Sequence, residues 1–94
     1  IDFTVVTSKE VSPDDINNAM ITASKTKELK GILGINSEPL VSKDFNHNPH
    51  SSIFDITQTQ VIKKKFSRVL SWYDNEWGFS NRMCETAIQM AKLI

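Results

Sequence analysis

The order of hydrophobic patterns predicts an α+β domain, a mostly antiparallel sheet with helices on one face. Three observations carry that expectation. The chain opens on an alternating apolar stretch, "IDFTVV". A strongly signalled helix follows, and after it comes a run of short strand-like segments. The last of these passes directly into a second helical stripe near Trp77.

Taken in order, Ile1, Phe3 and Val5 fall on one face of a strand. In "VSPDDINNAMITAS", Ser12 suits an N-cap and Pro13 the first helical position. Asp14 and Asp15 favour the positive end of the helix dipole, and Val11 with Ile16 fits a hydrophobic staple. Ile16, Ala19, Met20 and Ala23 make the apolar stripe of a helix ending near Lys25. "GILGI" is expected as a buried strand and "PLVSKDF" as another; "NHNPH" is a turn, because Pro49 pushes the residue before it out of helical backbone. "SSIFDI" and "TQTQVI" have strand composition, Lys63 to Lys65 read as a solvated hairpin turn, and "FSRVLSWY" is the last strand, with Phe66, Leu70 and Trp72 on one face. From Trp77 onward, Phe79, Met83, Ala87, Met90, Ala91 and Ile94 recur at helical spacing.

Ninety-four residues make one small domain at most. Eleven basic and eleven acidic residues cancel, which gives no general attraction to nucleic acid or anionic lipid. No apolar run approaches the roughly 20 residues of a membrane span, and no signal peptide is recognisable. The single cysteine, Cys84, forms no internal disulfide and fits a reducing cytoplasm. The start in mid-strand, without Met, leads us to expect a piece of a longer protein.

Several side chains invite a chemical role. Asn75 stands at a strand-to-helix junction among Trp72, Tyr73, Trp77 and Phe79. Asp74 or Asn75 could cap the helix. Alternatively, the amide of Asn75, donor and acceptor at once, could recognise another amide, with aromatic side chains as flat walls for a planar ring. His47 and His50 form H-x-x-H, but Pro49 breaks any helix that would align them on a metal, and loop hydrogen bonding is the expected role. Cys84 is expected to be a buried, inert thiol on the inner side of the last helix. No Gly-rich phosphate loop, nucleophile elbow or carboxylate cluster is present in the sequence, so no catalytic residue and no metal site is assigned.

The stretch "SWYDNEWGFSNRM", with "DFTVVTSKEV", "LKGILGINSEPLVSKDFN" and "HSSIFD" in order before it, resembles the C-terminal part of the glyceraldehyde-3-phosphate dehydrogenase family. "DFNHNPHSSIFDITQTQV" and "WGFSNRM" are most like the erythrose-4-phosphate dehydrogenase branch. The resemblance implies that residues 1–94 are a partial C-terminal catalytic domain with its terminal helix at 77–94, and that the dinucleotide-binding domain lies outside this chain. It implies NAD as cofactor, with Asn75 bonding the nicotinamide carboxamide and Phe79 beside the ring; the family commonly has Tyr at the latter position. It places the nucleophilic Cys, its His partner and the phosphate-binding Arg upstream. The implied substrate is a phosphosugar aldehyde, glyceraldehyde 3-phosphate or erythrose 4-phosphate, oxidised through a thioester. This chain alone is then expected to be inactive. A homo-oligomer, tetrameric as in the family, is implied for the intact enzyme, and a dimer through the apolar last helix for the isolated chain. The competing expectation is a stand-alone binding or assembly module without catalysis.

Overall fold

The computed structural model describes residues 1–94. In chain order it has β1 (Asp2–Val6), α1 (Pro13–Ser24), β2 (Leu33–Asn36), a 3₁₀ turn (Ser42–Phe45), β3 (Ser52–Asp55), β4 (Gln60–Ile62), β5 (Phe66–Trp72) and α2 (Asn75–Ala91). The strands form one sheet in the order β1-β5-β3-β2, with β4 also on β5. β5 is the central strand because it is long enough to serve three partners. β1 pairs along Phe66 to Leu70 on one edge; on the other, β4 pairs with Phe66 to Arg68, and β3 with Ser71 and Trp72. These pairings are antiparallel. β2 and β3 run parallel, which the intervening stretch of turn and loop permits by crossing over. The α+β class and mostly antiparallel sheet are therefore as expected, with one parallel pair added.

Local chemistry explains where the elements begin and stop. Ser12 Oγ accepts from the Asp15 N–H at 3.1 Å, and Asp15 Oδ2 accepts from the Ser12 N–H at 2.8 Å, a complete capping box with Pro13 in the first turn. Asn17 ties α1 to the β3–β4 loop, donating to Ile56 O and accepting from Thr59 Oγ1. Ile16, Met20 and Ala23 are half-buried as the stripe requires, but Ala19 is exposed and Ile21 takes its place. The β4–β5 hairpin turns at Lys63 and Lys64, both in left-handed backbone.

Two strand expectations need correction. "PLVSKDF" is no strand: it forms the 3₁₀ turn, where Asp44 Oδ2 accepts from the Val41 N–H at 2.9 Å and Pro39 offers no donor. Such side-chain-to-backbone bonds compete with a ladder. In "TQTQVI" only Gln60–Ile62 is strand, because Asp55 Oδ1 accepts from the Thr57 N–H and hydroxyl and turns the chain at the end of β3.

The core is small. Phe45, Ile53 and Phe54 are its buried apolar side chains, and Phe45 stacks on Trp72 at 5.3 Å between ring centroids. α2 does not run along any strand. The accessible surface is 6926 Å², against about 5,500 Å² for a compact protein of this mass. The radius of gyration is 15.2 Å, against about 12 Å for a compact domain of this length. Large apolar side chains are exposed on α2, at Phe79, Met83, Ile88 and Met90, and on β1, at Phe3, Val5 and Val6. Cys84 is exposed too, contrary to the buried thiol expected: the helix stripe implies a cover that these residues do not supply. No helix is long and apolar enough to cross a membrane.

Candidate functional site

The site grows from the end of β5. Trp72 is fixed on two sides, by the Phe45 ring and by a 2.9 Å bond from its Nε1 to Asp55 Oδ2. Asp55 is almost fully buried. Burial pushes its carboxyl pKa up, but hydrogen bonds from the Thr57 hydroxyl, the Trp72 indole, the Thr57 N–H and the Asn36 side chain together outweigh it and hold the pKa below the usual value. The strand end is thus anchored before the chain turns into α2.

Asp74 takes the N-cap position, yet its carboxylate does not cap the helix. Its Oδ2 accepts instead from the His47 backbone N–H at 2.7 Å. Asn75 is consequently the first helical residue and not the cap, and its side chain is exposed. Phe79 follows one turn later on the same face. The structure brings both sequence-predicted residues into one cleft of about 240 Å³, lined also by Ser51, Tyr73, Asp74, Gly78 and Arg82. Whole-ligand pockets run to roughly 300–1,000 Å³. This cleft is smaller than that and would take part of a ligand. The Phe79 and Tyr73 rings are both exposed there and offer apolar walls, while the Asn75 amide offers a donor and an acceptor.

Gly78 sets how closely α2 approaches the chain before β3: a Cβ there would stand 2.7 Å from His50 O. Arg82 adds a second tie, its Nη1 donating to Ser51 Oγ at 3.2 Å and its Nη2 to Glu85 Oε1 at 2.8 Å. Sequence reasoning missed Arg82 and Ser51. Arg82 lies three residues beyond Phe79 and seven beyond Asn75, so helical spacing alone puts it on their face; nothing local marks Ser51. Trp77 lies under the His47 ring, 4.6 Å between ring centroids. The two histidines are engaged separately in the loop. The second, His50, bonds Asn48 Oδ1 through Nδ1 at 2.7 Å and faces Gly34. No group of three His, Cys, Asp or Glu side chains gathers within reach of one ion.

Residues 1–75 match the family model described as "Glyceraldehyde 3-phosphate dehydrogenase, C-terminal domain". Curated relatives agree along the whole chain. A glyceraldehyde-3-phosphate dehydrogenase of Xanthobacter flavus is 55% identical over 93 residues, covering 99% of this chain and 28% of the relative. Those of Zymomonas mobilis subsp. mobilis and Cereibacter sphaeroides are 49% and 48% identical over 94 residues, covering 100% of this chain and 28% of each relative. The chain thus spans little more than a quarter of the length of these proteins. The family match and the shared sequence show that this chain belongs to the glyceraldehyde-3-phosphate dehydrogenase family of oxidoreductases, with residues 1–75 matching its C-terminal domain.

Proposed function

We propose that this chain is the cofactor-facing C-terminal part of an NAD-dependent phosphosugar aldehyde dehydrogenase. The observation that carries the proposal is the cleft at the start of α2, where the exposed Asn75 amide stands beside the Phe79 and Tyr73 rings. Those residues fit a nicotinamide: an amide for its carboxamide, and apolar walls for its ring. NAD, when bound, supplies the hydride acceptor. Asn75 would hold the carboxamide and so fix which ring face is presented, and Phe79 would exclude water from one side. The Cys that attacks the aldehyde, with its His and phosphate-binding partners, is assigned to the part of the enzyme outside these 94 residues. By itself the chain is expected to be inactive.

The names of the relatives favour glyceraldehyde 3-phosphate as substrate. Erythrose 4-phosphate is supported by the resemblance of residues 44–61 and 77–83 to that branch. Assaying the full-length protein with each aldehyde and with NAD or NADP tests the proposal. NAD-dependent oxidation of one aldehyde is the expected result. No turnover of either, with tight binding of another macromolecule, would favour the non-catalytic module.

Phe79, Met83, Ala87 and Met90 line an apolar groove on α2 that no other part of the chain covers. The isolated chain is expected to self-associate through it, most simply as a two-fold dimer, whereas the full-length enzyme forms a larger homo-oligomer. Met83→Glu should shift the isolated chain towards monomer, because an unpaired charge in an apolar contact is costly. Sedimentation at several concentrations checks this; a monomer throughout would contradict it.

A further inference from the structure

A carboxylate at an N-cap ordinarily accepts from the first free N–H groups of its own helix. Asp74 does not. It reaches 27 residues back along the chain to the His47 N–H, at 2.7 Å. His47 returns a second contact, its ring lying on Trp77 at 4.6 Å and 33°. The loop therefore grips the first turn of α2 at two points that flank Asn75 in sequence. His47 itself has φ 62°, a left-handed backbone that non-glycine residues seldom adopt. Such a conformation persists where its surroundings hold it. The Asn75 side chain is exposed and makes no hydrogen bond within the chain, so the backbone at Asp74 and Asn75 sets where its Cα–Cβ bond starts and hence which positions its amide can reach.

We propose that Asp74 is a positioning residue: by anchoring the strand-to-helix junction to the His47 N–H, its carboxylate aims the Asn75 amide at the planar carboxamide ligand of the cleft. The proposal rests on the reading that Asn75 contacts nicotinamide. Pairing of two amides is directional, and a small displacement of the holding group weakens both bonds at once.

The test uses the full-length enzyme with three substitutions, and Asn75→Ala as the reference. Asp74→Ser keeps a good N-cap residue but is too short to reach His47, so it separates the clamp from capping. It should raise KM for NAD about tenfold, the weight of one charge-assisted hydrogen bond, with KM for the aldehyde within about twofold. Asp74→Asn restores an acceptor of the same length and should return KM for NAD to within about threefold of wild type. His47→Gly keeps the N–H and suits the left-handed backbone but gives up the ring contact with Trp77, so KM for NAD should rise by less than in Asp74→Ser; a rise as large as in Asp74→Ser would overturn the role of the carboxylate. Wild-type NAD kinetics in Asp74→Ser, while Asn75→Ala is impaired, would overturn the positioning role and leave the cofactor reading standing. Equal impairment in Asp74→Ser and Asp74→Asn would also overturn it. Unimpaired NAD kinetics in Asn75→Ala would instead remove the cofactor reading on which the proposal rests.

Discussion

Gly78→Ala should destabilise the protein, reversing the usual sign of that substitution inside a helix. Ordinarily Ala in place of a helical Gly gains about 1 kcal/mol, through lower backbone entropy in the unfolded chain. Here the new Cβ would meet His50 O at 2.7 Å and His50 C at 3.4 Å. The obstacle is backbone, so no side-chain rotation relieves it. Either α2 tilts away or the segment before β3 shifts, and both move walls of the cleft, since Ser51 and Gly78 line it together. Overpacking of this kind costs about 1–3 kcal/mol, enough to outweigh the propensity gain. Gly78→Val should cost more, because a β-branched side chain adds its own crowding in a helix. Denaturant midpoints of the full-length protein check the sign: an increase in stability for Gly78→Ala would show that α2 does not sit this close to His50.

Asp55→Ala should cost about 1–3 kcal/mol or more, because it orphans several donors at once. The Trp72 indole N–H, the Thr57 N–H and the Thr57 hydroxyl all point at this carboxylate, from 2.6 to 3.0 Å. Asp55→Asn should be milder, retaining one acceptor while turning an amide NH2 towards a donor. The effect is also pH-dependent. The folded-state pKa of Asp55 is lowered, so its stabilising contribution is fully present above the unfolded value of about 3.9 and is lost as pH falls through the lower folded value. The stability gap between wild type and Asp55→Asn should therefore be widest above about pH 4 and narrow below it. A gap independent of pH across that window would mean that charge at Asp55 contributes nothing.

How much of this was legible in the sequence depends on the range of the interactions. The start of α1 was readable because its determinants, Ser12, Pro13 and Asp15, act within one turn. The hairpin at Lys63 to Lys65 was readable for the same reason. The 3₁₀ turn at Ser42–Phe45 was not: Leu40 and Val41 just before it suggest a strand, and the deciding bond from the Val41 N–H to Asp44 competes with a ladder that periodicity takes for granted. The parallel pairing of β2 with β3 depends on a crossover that no single strand reveals. Cys84 was misplaced because a helical stripe shows which face wants cover and not whether these residues provide it. At the site, Asn75 and Phe79 were reached through family resemblance, since spacing alone also allowed a cap. Only the structure shows Asp74 in that position with its carboxylate turned to His47. The partnership of Arg82 with Ser51, separated by 31 residues, left no mark in the sequence.

Asn75, the first residue of α2 and not its cap, is proposed to face a nicotinamide. Steady-state kinetics of full-length Asn75→Ala, with unfolding measured alongside, addresses this most directly. KM for NAD should rise about ten- to hundredfold, the consequence of unmaking a polar match that the bound cofactor buries, with KM for the aldehyde nearly unchanged and less than about 1 kcal/mol of stability lost. Unchanged NAD kinetics together with a large loss of stability would contradict it and return Asn75 to a purely structural role.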